Sequence, residues 1–234
     1  MKYSQGFLVR EQLTSGARVP KQERSRDTQE RIITAALAVF AECGFEGASV
    51  RSIAERAGVG QPLVVYHFPS KEDLWVATTE RTLGKFLERL RPNLEALEGL
   101  DPAIRLNLIF QDLVHFSAET PELLLLFIDA NRRGGPNLKR LVEDQLRPTY
   151  ELLRELLDAA QSAGVMTAGD PGLIYYAMIC VATMPFSVRR EIQMVTGRDL
   201  SNPDTVQAQA SLLARLFFPG LQDAGGPDVT PHET

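Results

Sequence analysis

Two sets of residues in this chain have types and spacing that could do chemistry. The first is Gln61, Pro62, Leu63, Tyr66 and His67, flanked by Ser49, Arg51 and Lys71. A glutamine amide carries a donor and an acceptor side by side, which matches the major-groove edge of adenine. Serine, arginine and lysine beside it suit phosphate oxygens, which set register rather than sequence. The second set is Asn107, Gln111 and His115, at steps of four, with Phe116, Tyr150, Tyr176 and Thr183 elsewhere in the chain. Aromatic surface with a few polar groups is the make-up of a small-molecule site. The stripe Asn107, Gln111, His115 also reads as an ordinary wet helix face, and both readings stand at this level.

The first set needs an element to hold it, and the stretch SVRSIAERAGVGQPLVVYHFPSK, residues 49–71, describes one. Ser49 is an N-cap. Val50, Ile53, Ala54 and Ala57 recur at helical spacing. Gly58 stops that helix, because the residue after a helix often needs positive φ. Val59 plugs the turn. Pro62 is tolerated near the start of the second helix, where its missing N–H costs nothing, and Pro69 ends it. Two short helices around a tight turn are a helix-turn-helix, whose second helix enters the major groove by its N-terminal residues.

The surroundings place this unit within a larger helical chain. Asp27 or Thr28 caps a first helix with Ile32, Ala35, Ala36, Val39 and Phe40 as its buried stripe, and Gly44 ends it. Lys71 to Leu90 forms a fourth helix, kinked or ended at Arg91-Pro92. Further helices follow over 103–118, from 121, over 137–163 with a bend at Pro148, from 171 with an interruption at Pro185, and over 203–218. Period-two alternation is absent, so the expected class is all-α. The expected domains are a basic arm, 1–26; a helix-turn-helix unit with its connecting helix, 27–92; a helical binding and dimerisation unit, 93–218; and a disordered tail, 219–234.

Composition narrows the partners. With 234 residues and 44% hydrophobic content the chain can bury a real core. The net charge is −5, yet residues 1–26 carry six basic side chains against two acidic ones. A basic arm on an acidic body fits contact with nucleic acid at one end. No apolar run approaches the ~20 residues of a membrane span, and the first residues lack a secretory pattern. Two distant cysteines, Cys43 and Cys180, suggest neither a disulfide framework nor a metal site, so a reducing cytoplasm is expected. GxSxG, P-loop, HExxH and dinucleotide signatures are absent, and the three histidines lie far apart. Neither a catalytic site nor a cofactor is expected.

The run from Thr28-Gln29-Glu30-Arg31-Ile32 through Phe40, Gly44-Phe45, Ser49-Val50, Ile53-Ala54, Ala57-Gly58-Val59 and Tyr66-His67-Phe68 to Ser70-Lys71-Glu72-Asp73-Leu74 resembles the N-terminal domain of the TetR family of bacterial transcription regulators. The resemblance covers about fifty residues in register. This chain departs from the family where it has Pro62-Leu63 in place of a small residue, often Gly-Thr, and Val65 in place of Tyr. Those departures fall on the reading helix, so the operator sequence does not carry over. The resemblance implies an effector between the helices of the second unit and a dimer through the last two helices. Surplus apolar residues there support that surface, with Ala177, Val181, Val206, Ala210, Leu213 and Phe217 as its expected members. The resulting expectation is a homodimeric repressor of double-stranded operator DNA, released by a small, mostly apolar effector. The rival is a helical small-molecule-binding protein or enzyme that does not bind DNA.

Overall fold

Gly44 sets the geometry of the N-terminal end. Its φ of +69° lies in the left-handed region, and the chain turns there inside α1, Lys21–Gly47. Phe45 then folds back, buried, and stacks on Phe40 with ring centroids 5.9 Å apart. The computed structural model describes residues 21–96 and 99–223. After α1 come α2, Val50–Ala57, and α3, Gln61–His67, then the long α4, Lys71–Ala96. The second part holds α5, Pro102–Glu119; α6, Glu122–Arg133; α7, Gly135–Leu141; α8, Arg147–Ser162; α9, Pro171–Ser187; α10, Arg189–Thr196; α11, Pro203–Phe217; and the short α12, Gly220–Asp223. No strand occurs among the described residues.

The sequence places several boundaries differently. The expected arm ran to residue 26, but α1 already begins at Lys21, so only residues 1–20 of it lie outside the described chain. The expected tail began at 219, but Gly220–Asp223 forms a helical turn; residues 224–234 lie outside the described chain. Helix α4 continues past Pro92 to Ala96, so the expected boundary at 92/93 falls inside a helix shared by both parts. The single helix expected over 137–163 is interrupted by a π-helical turn at Val142–Leu146. Proline would bring its ring against the carbonyl four residues earlier. The wider turn just before Pro148 relieves that crowding, and α8 restarts at Arg147 with the proline in its first turn. Pro185 stays inside α9; the break comes at Val188, where α10 leaves at 76°. No single described helix is long and apolar enough to cross a membrane.

Two buried clusters organise the chain. One joins α1–α4 through Ile32, Phe40, Ile53, Val64, Leu74 and Trp75, and draws in Leu126 and Ala130 from α6 and Leu141 from α7. The other unites α5, α8, α9 and α11 around Leu106, Phe110, Leu157, Met178, Ala210 and Leu213. Helix α6 therefore contributes to the N-terminal cluster while packing beside the second one, a placement that its sequence alone did not reveal.

Candidate functional site

The reading head is built by caps. Ser49 closes the N-terminus of α2 in a reciprocal box: its Oγ accepts from the Ser52 N–H at 3.0 Å, and the Ser49 N–H donates to Ser52 Oγ at 3.2 Å. Gly58, at φ +64°, ends α2 with its N–H donating back to Ala54 and Glu55 carbonyls. Arg31 of α1 adds a second cap, its Nη2 donating to the Ala57 carbonyl at 2.7 Å and the Gly58 carbonyl at 3.2 Å. Glu30 ties α1 to α4 through Arg81 and Lys85. Burial raises the Glu30 carboxyl, and those two cations more than offset it, holding the pKa below the ordinary value.

Helix α3 buries Val64 alone among its own residues and presents Gln61, Pro62, Leu63, Val65 and Tyr66 to solvent. Tyr66 is 79% exposed, well beyond what a packing role requires. Val65 joins this face although sequence reasoning left it out; its spacing, one turn after Gln61, was the available signal. Ser49 and Arg51 sit at the start of α2, exposed, with Arg51 paired to Glu55 at 2.9 Å. An exposed helix N-terminus of this kind presents free N–H groups suited to a phosphate.

One expected groove residue, His67, and one expected phosphate contact, Lys71, are engaged within the protein. His67 is half-buried at the end of α3, its Nδ1 3.3 Å from Gln29 Nε2 of α1, and it packs edge-on against Tyr66. Lys71 is committed within the protein: its Nζ donates to the carbonyls of Phe45 at 2.9 Å and Ala48 at 3.2 Å, and lies 4.5 Å from the Phe45 ring centroid. With two of its three ammonium donors engaged, Lys71 closes the turn between α1 and α2.

The second part holds a partly open cavity of about 310 Å³. Its walls come from α4, α5, α6, α7, α8, α9 and the π turn, and are overwhelmingly apolar and aromatic, including Phe86, Phe110, Phe116, Phe127 and Tyr175. Of the expected ligand residues, Phe116, Tyr176 and Thr183 line it. Asn107, Gln111 and His115 do not. On α5 the cavity is met by Ile109, Phe110, Leu113, Phe116 and Ser117, and at 3.6 residues per turn the 107–111–115 stripe lies on the opposite flank. All three of its members are half-buried there, and Asn107 Oδ1 is buried without a partner. Tyr150 stands behind the wall, its ring 5.1 Å from that of Tyr175. Tyr175 itself was missed, because in an almost uniformly apolar helix its direction cannot be told from its neighbours.

The expected dimer residues divide as well. Val206, Ala210, Leu213 and Phe217 are buried inside one protomer, where α11 packs on α5. Their helical spacing marks the core face and not a surface for a partner. Val181 is half-buried, and its carbonyl accepts from Gln209 Nε2 at 2.7 Å. Ala177 is exposed. The outward faces carry Leu173, Tyr176 and Met184 on α9 and Leu212 and Leu216 on α11, all large apolar residues open to solvent. No group of three metal-ligating side chains occurs among the described residues.

These features have counterparts in known proteins. A family model for bacterial regulatory proteins of the tetR family matches residues 32–78, from α1 into α4. The HTH-type transcriptional regulator RutR of Escherichia coli is 27% identical over 217 residues, covering 90% of this chain and 99% of that protein. The HTH-type transcriptional repressor NicS of Pseudomonas putida is 24% identical over 218 residues, covering 89% and 97%. The fold is also that of AibR, solved in complex with isovaleryl coenzyme A and operator DNA, at a TM-score of 0.65 and 16% identity over 81% of this chain and 98% of that one. The capped helix-turn-helix at one end, the helical second part and relatives matched along nearly their whole length converge: residues 32–78 match the tetR family of bacterial regulatory proteins, and the chain as a whole is similar to HTH-type transcriptional regulators.

Proposed function

We propose that the protein is a homodimeric repressor whose reading heads hold operator DNA and let it go when a small, mostly apolar molecule fills the cavity. The observation that carries this reading is the double role of α6. Leu124, Phe127, Ile128 and Asn131 line the cavity, while Asp129 on the same helix grips the reading head through the Phe45 N–H at 3.0 Å. A ligand that shifts α6 acts on the head directly. The effector favours a spacing of the two heads that no longer fits the operator, a shift of population between two arrangements. A coupling of about 1–3 kcal/mol changes DNA affinity about 5–150-fold.

In this reading the head spans residues 27–92, the effector and dimer unit spans 93–218, and α4 belongs to both. Gln61, Pro62, Leu63, Val65 and Tyr66 face the groove; Ser49 and Arg51 meet phosphates; the basic N-terminal residues add sequence-independent attraction. The partner copy covers the outward faces of α9 and α11. The protein acts on DNA in the bacterial cytoplasm and catalyses no reaction. AibR, with a ligand and an operator in one crystal, is a precedent for this arrangement. The test is to select genomic fragments bound by the purified protein, then screen compounds that release them. Saturable, salt-dependent binding to a palindromic fragment, reversed by an apolar compound, is expected. A protein that binds such compounds but retains no fragment above background would instead be the helical binding protein that does not touch DNA.

A further inference from the structure

One largely buried residue of the cavity wall carries a hydroxyl whose hydrogen-bonding capacity the protein leaves open. Tyr175 is 6% exposed and lines the wall. Three rings hold it edge-on: Phe110 at 6.3 Å, Tyr150 at 5.1 Å and Tyr176 at 5.3 Å between centroids. Among the described residues its hydroxyl has no hydrogen-bond partner. Four other lining hydroxyls are engaged: Ser117 donates to the Leu113 carbonyl at 2.7 Å, Thr149 to Gln145 at 2.8 Å, Thr183 to Ile179 at 2.8 Å, and Ser187 to Pro121 at 3.2 Å; Thr120 and Tyr176 also line the wall, but neither is a buried residue. The Tyr175 oxygen is not among the sealed, unpartnered side-chain atoms, so it stays accessible and can donate to a ligand or to water.

The wall contains no Lys, Arg, His, Asp or Glu. A charged group inside would lose its hydration with no opposite charge to replace it. Burial, and then the neighbouring Tyr176 and Tyr150, push the Tyr175 phenol up to about 12, so it remains a neutral donor at physiological pH. The aromatic walls favour a flat or branched hydrocarbon body.

We infer that the effector is an uncharged, ring-bearing molecule with one hydrogen-bond acceptor, such as a ketone or ester oxygen, and that this acceptor receives a hydrogen bond from the Tyr175 hydroxyl. The inference rests on reading the cavity as the effector site. It separates this protein from AibR, whose crystallised ligand, isovaleryl coenzyme A, carries several negative charges.

Three probes of one skeleton test it: 2-acetylnaphthalene, 2-ethylnaphthalene and 2-naphthoate, titrated calorimetrically into the full-length protein. The ketone should bind about 5–10-fold more tightly than the hydrocarbon, the gain of one hydrogen bond, and the carboxylate should bind most weakly. Tyr175→Phe should erase the preference for the ketone over the hydrocarbon, with near-ultraviolet circular dichroism confirming an intact fold. Equal or tighter binding of the carboxylate, a ketone preference that survives Tyr175→Phe, or no binding by any of the three overturns the inference. Failure of the wider reading looks different. If the ketone preference depends on Tyr175 but saturating ketone never weakens DNA binding, the donor assignment stands and the cavity is not an effector site.

Discussion

Asp129 Oδ2 accepts a hydrogen bond from the Phe45 backbone N–H at 3.0 Å, joining α6 to the turn near the end of α1 across 84 residues of chain. Arg133 completes the joint: its Nε donates to the same Asp129 oxygen at 2.9 Å, and its guanidinium lies 4.5 Å from the Phe45 ring centroid. Gly44 is required here for space as well as for its positive φ, since a Cβ at that position would stand 3.1 Å from Asp129 Oδ1. The joint lies between the cavity and the reading head, so both stability and signalling pass through it.

Asp129→Ala tests the joint. Burial raises the Asp129 carboxyl, while the Phe45 N–H and the Arg132 and Arg133 guanidiniums outweigh it and hold the pKa below the ordinary value. A carboxyl with a depressed folded pKa contributes stability above its unfolded pKa, near 3.9, and that contribution fades as pH falls through the folded value. The substitution should therefore cost about 1–3 kcal/mol at neutral pH. The gap from the wild type should narrow below about pH 4. Denaturant melts at several pH values measure this. Ligand-induced loss of DNA affinity should also shrink in the variant, read by DNA titration with and without saturating ligand.

Lys71 and Arg51 should behave oppositely, although both are basic residues of the head. Arg51→Ala should lower the slope of log affinity against log salt by about one, with little effect on melting, because its side chain is exposed. Lys71→Ala should leave that slope nearly unchanged and lower the melting temperature, because it removes donors from the Phe45 and Ala48 carbonyls. A salt slope that falls with Lys71→Ala would return Lys71 to the phosphate contacts.

On the reading helix, Tyr66→Ala should weaken operator binding by about 1–3 kcal/mol if it meets a base. Melting should be unaffected, since its ring is 79% exposed. Gln61→Ala should relax sequence preference at one base position. Competition assays with single-base operator variants resolve the two.

For assembly, Leu216→Glu and Leu213→Glu form a diagnostic pair on one helix. Leu216 is 50% exposed and Leu213 fully buried. The first variant should remain folded and become monomeric by sedimentation, with weaker DNA binding because two linked heads gain effective concentration. The second should fail to fold, since it places a charge in the core without a partner. A dimeric, fully active Leu216→Glu protein would move the interface elsewhere.

Ligand affinity should be flat across about pH 5.5–7.5, the range in which a histidine titrates. His115 lies outside the cavity wall, and the wall's titratable side chains are Tyr175, Tyr176 and Cys180. At high pH a different signal is expected. A tyrosine whose folded pKa is raised contributes stability that is fully present below its unfolded pKa of about 10 and is lost as pH rises through the folded value. For Tyr175 that window extends to about 12, and tyrosinate absorbance should show one phenol ionising late.

The sequence by itself determined the helix-turn-helix, because its signals are local. An N-cap at Ser49, a left-handed position at Gly58 and a proline early in α3 each act within a few residues of where they stand. The all-α class and most helix spans were legible for the same reason: apolar spacing is a property of one helix at a time. Which face of a helix meets which neighbour is not local, and there only the tertiary structure decided. Val206, Ala210, Leu213 and Phe217 form a sound apolar stripe, but packing against α5 makes it core. Asn107, Gln111 and His115 share a face as their spacing required, yet the cavity opened on the other side of α5. Lys71 reads as a surface cation until the carbonyls of Phe45 and Ala48, more than twenty residues earlier, fold onto its ammonium. Tyr175 is one apolar-context residue among many in α9 until three rings close around it on the wall of a cavity that no single helix contains.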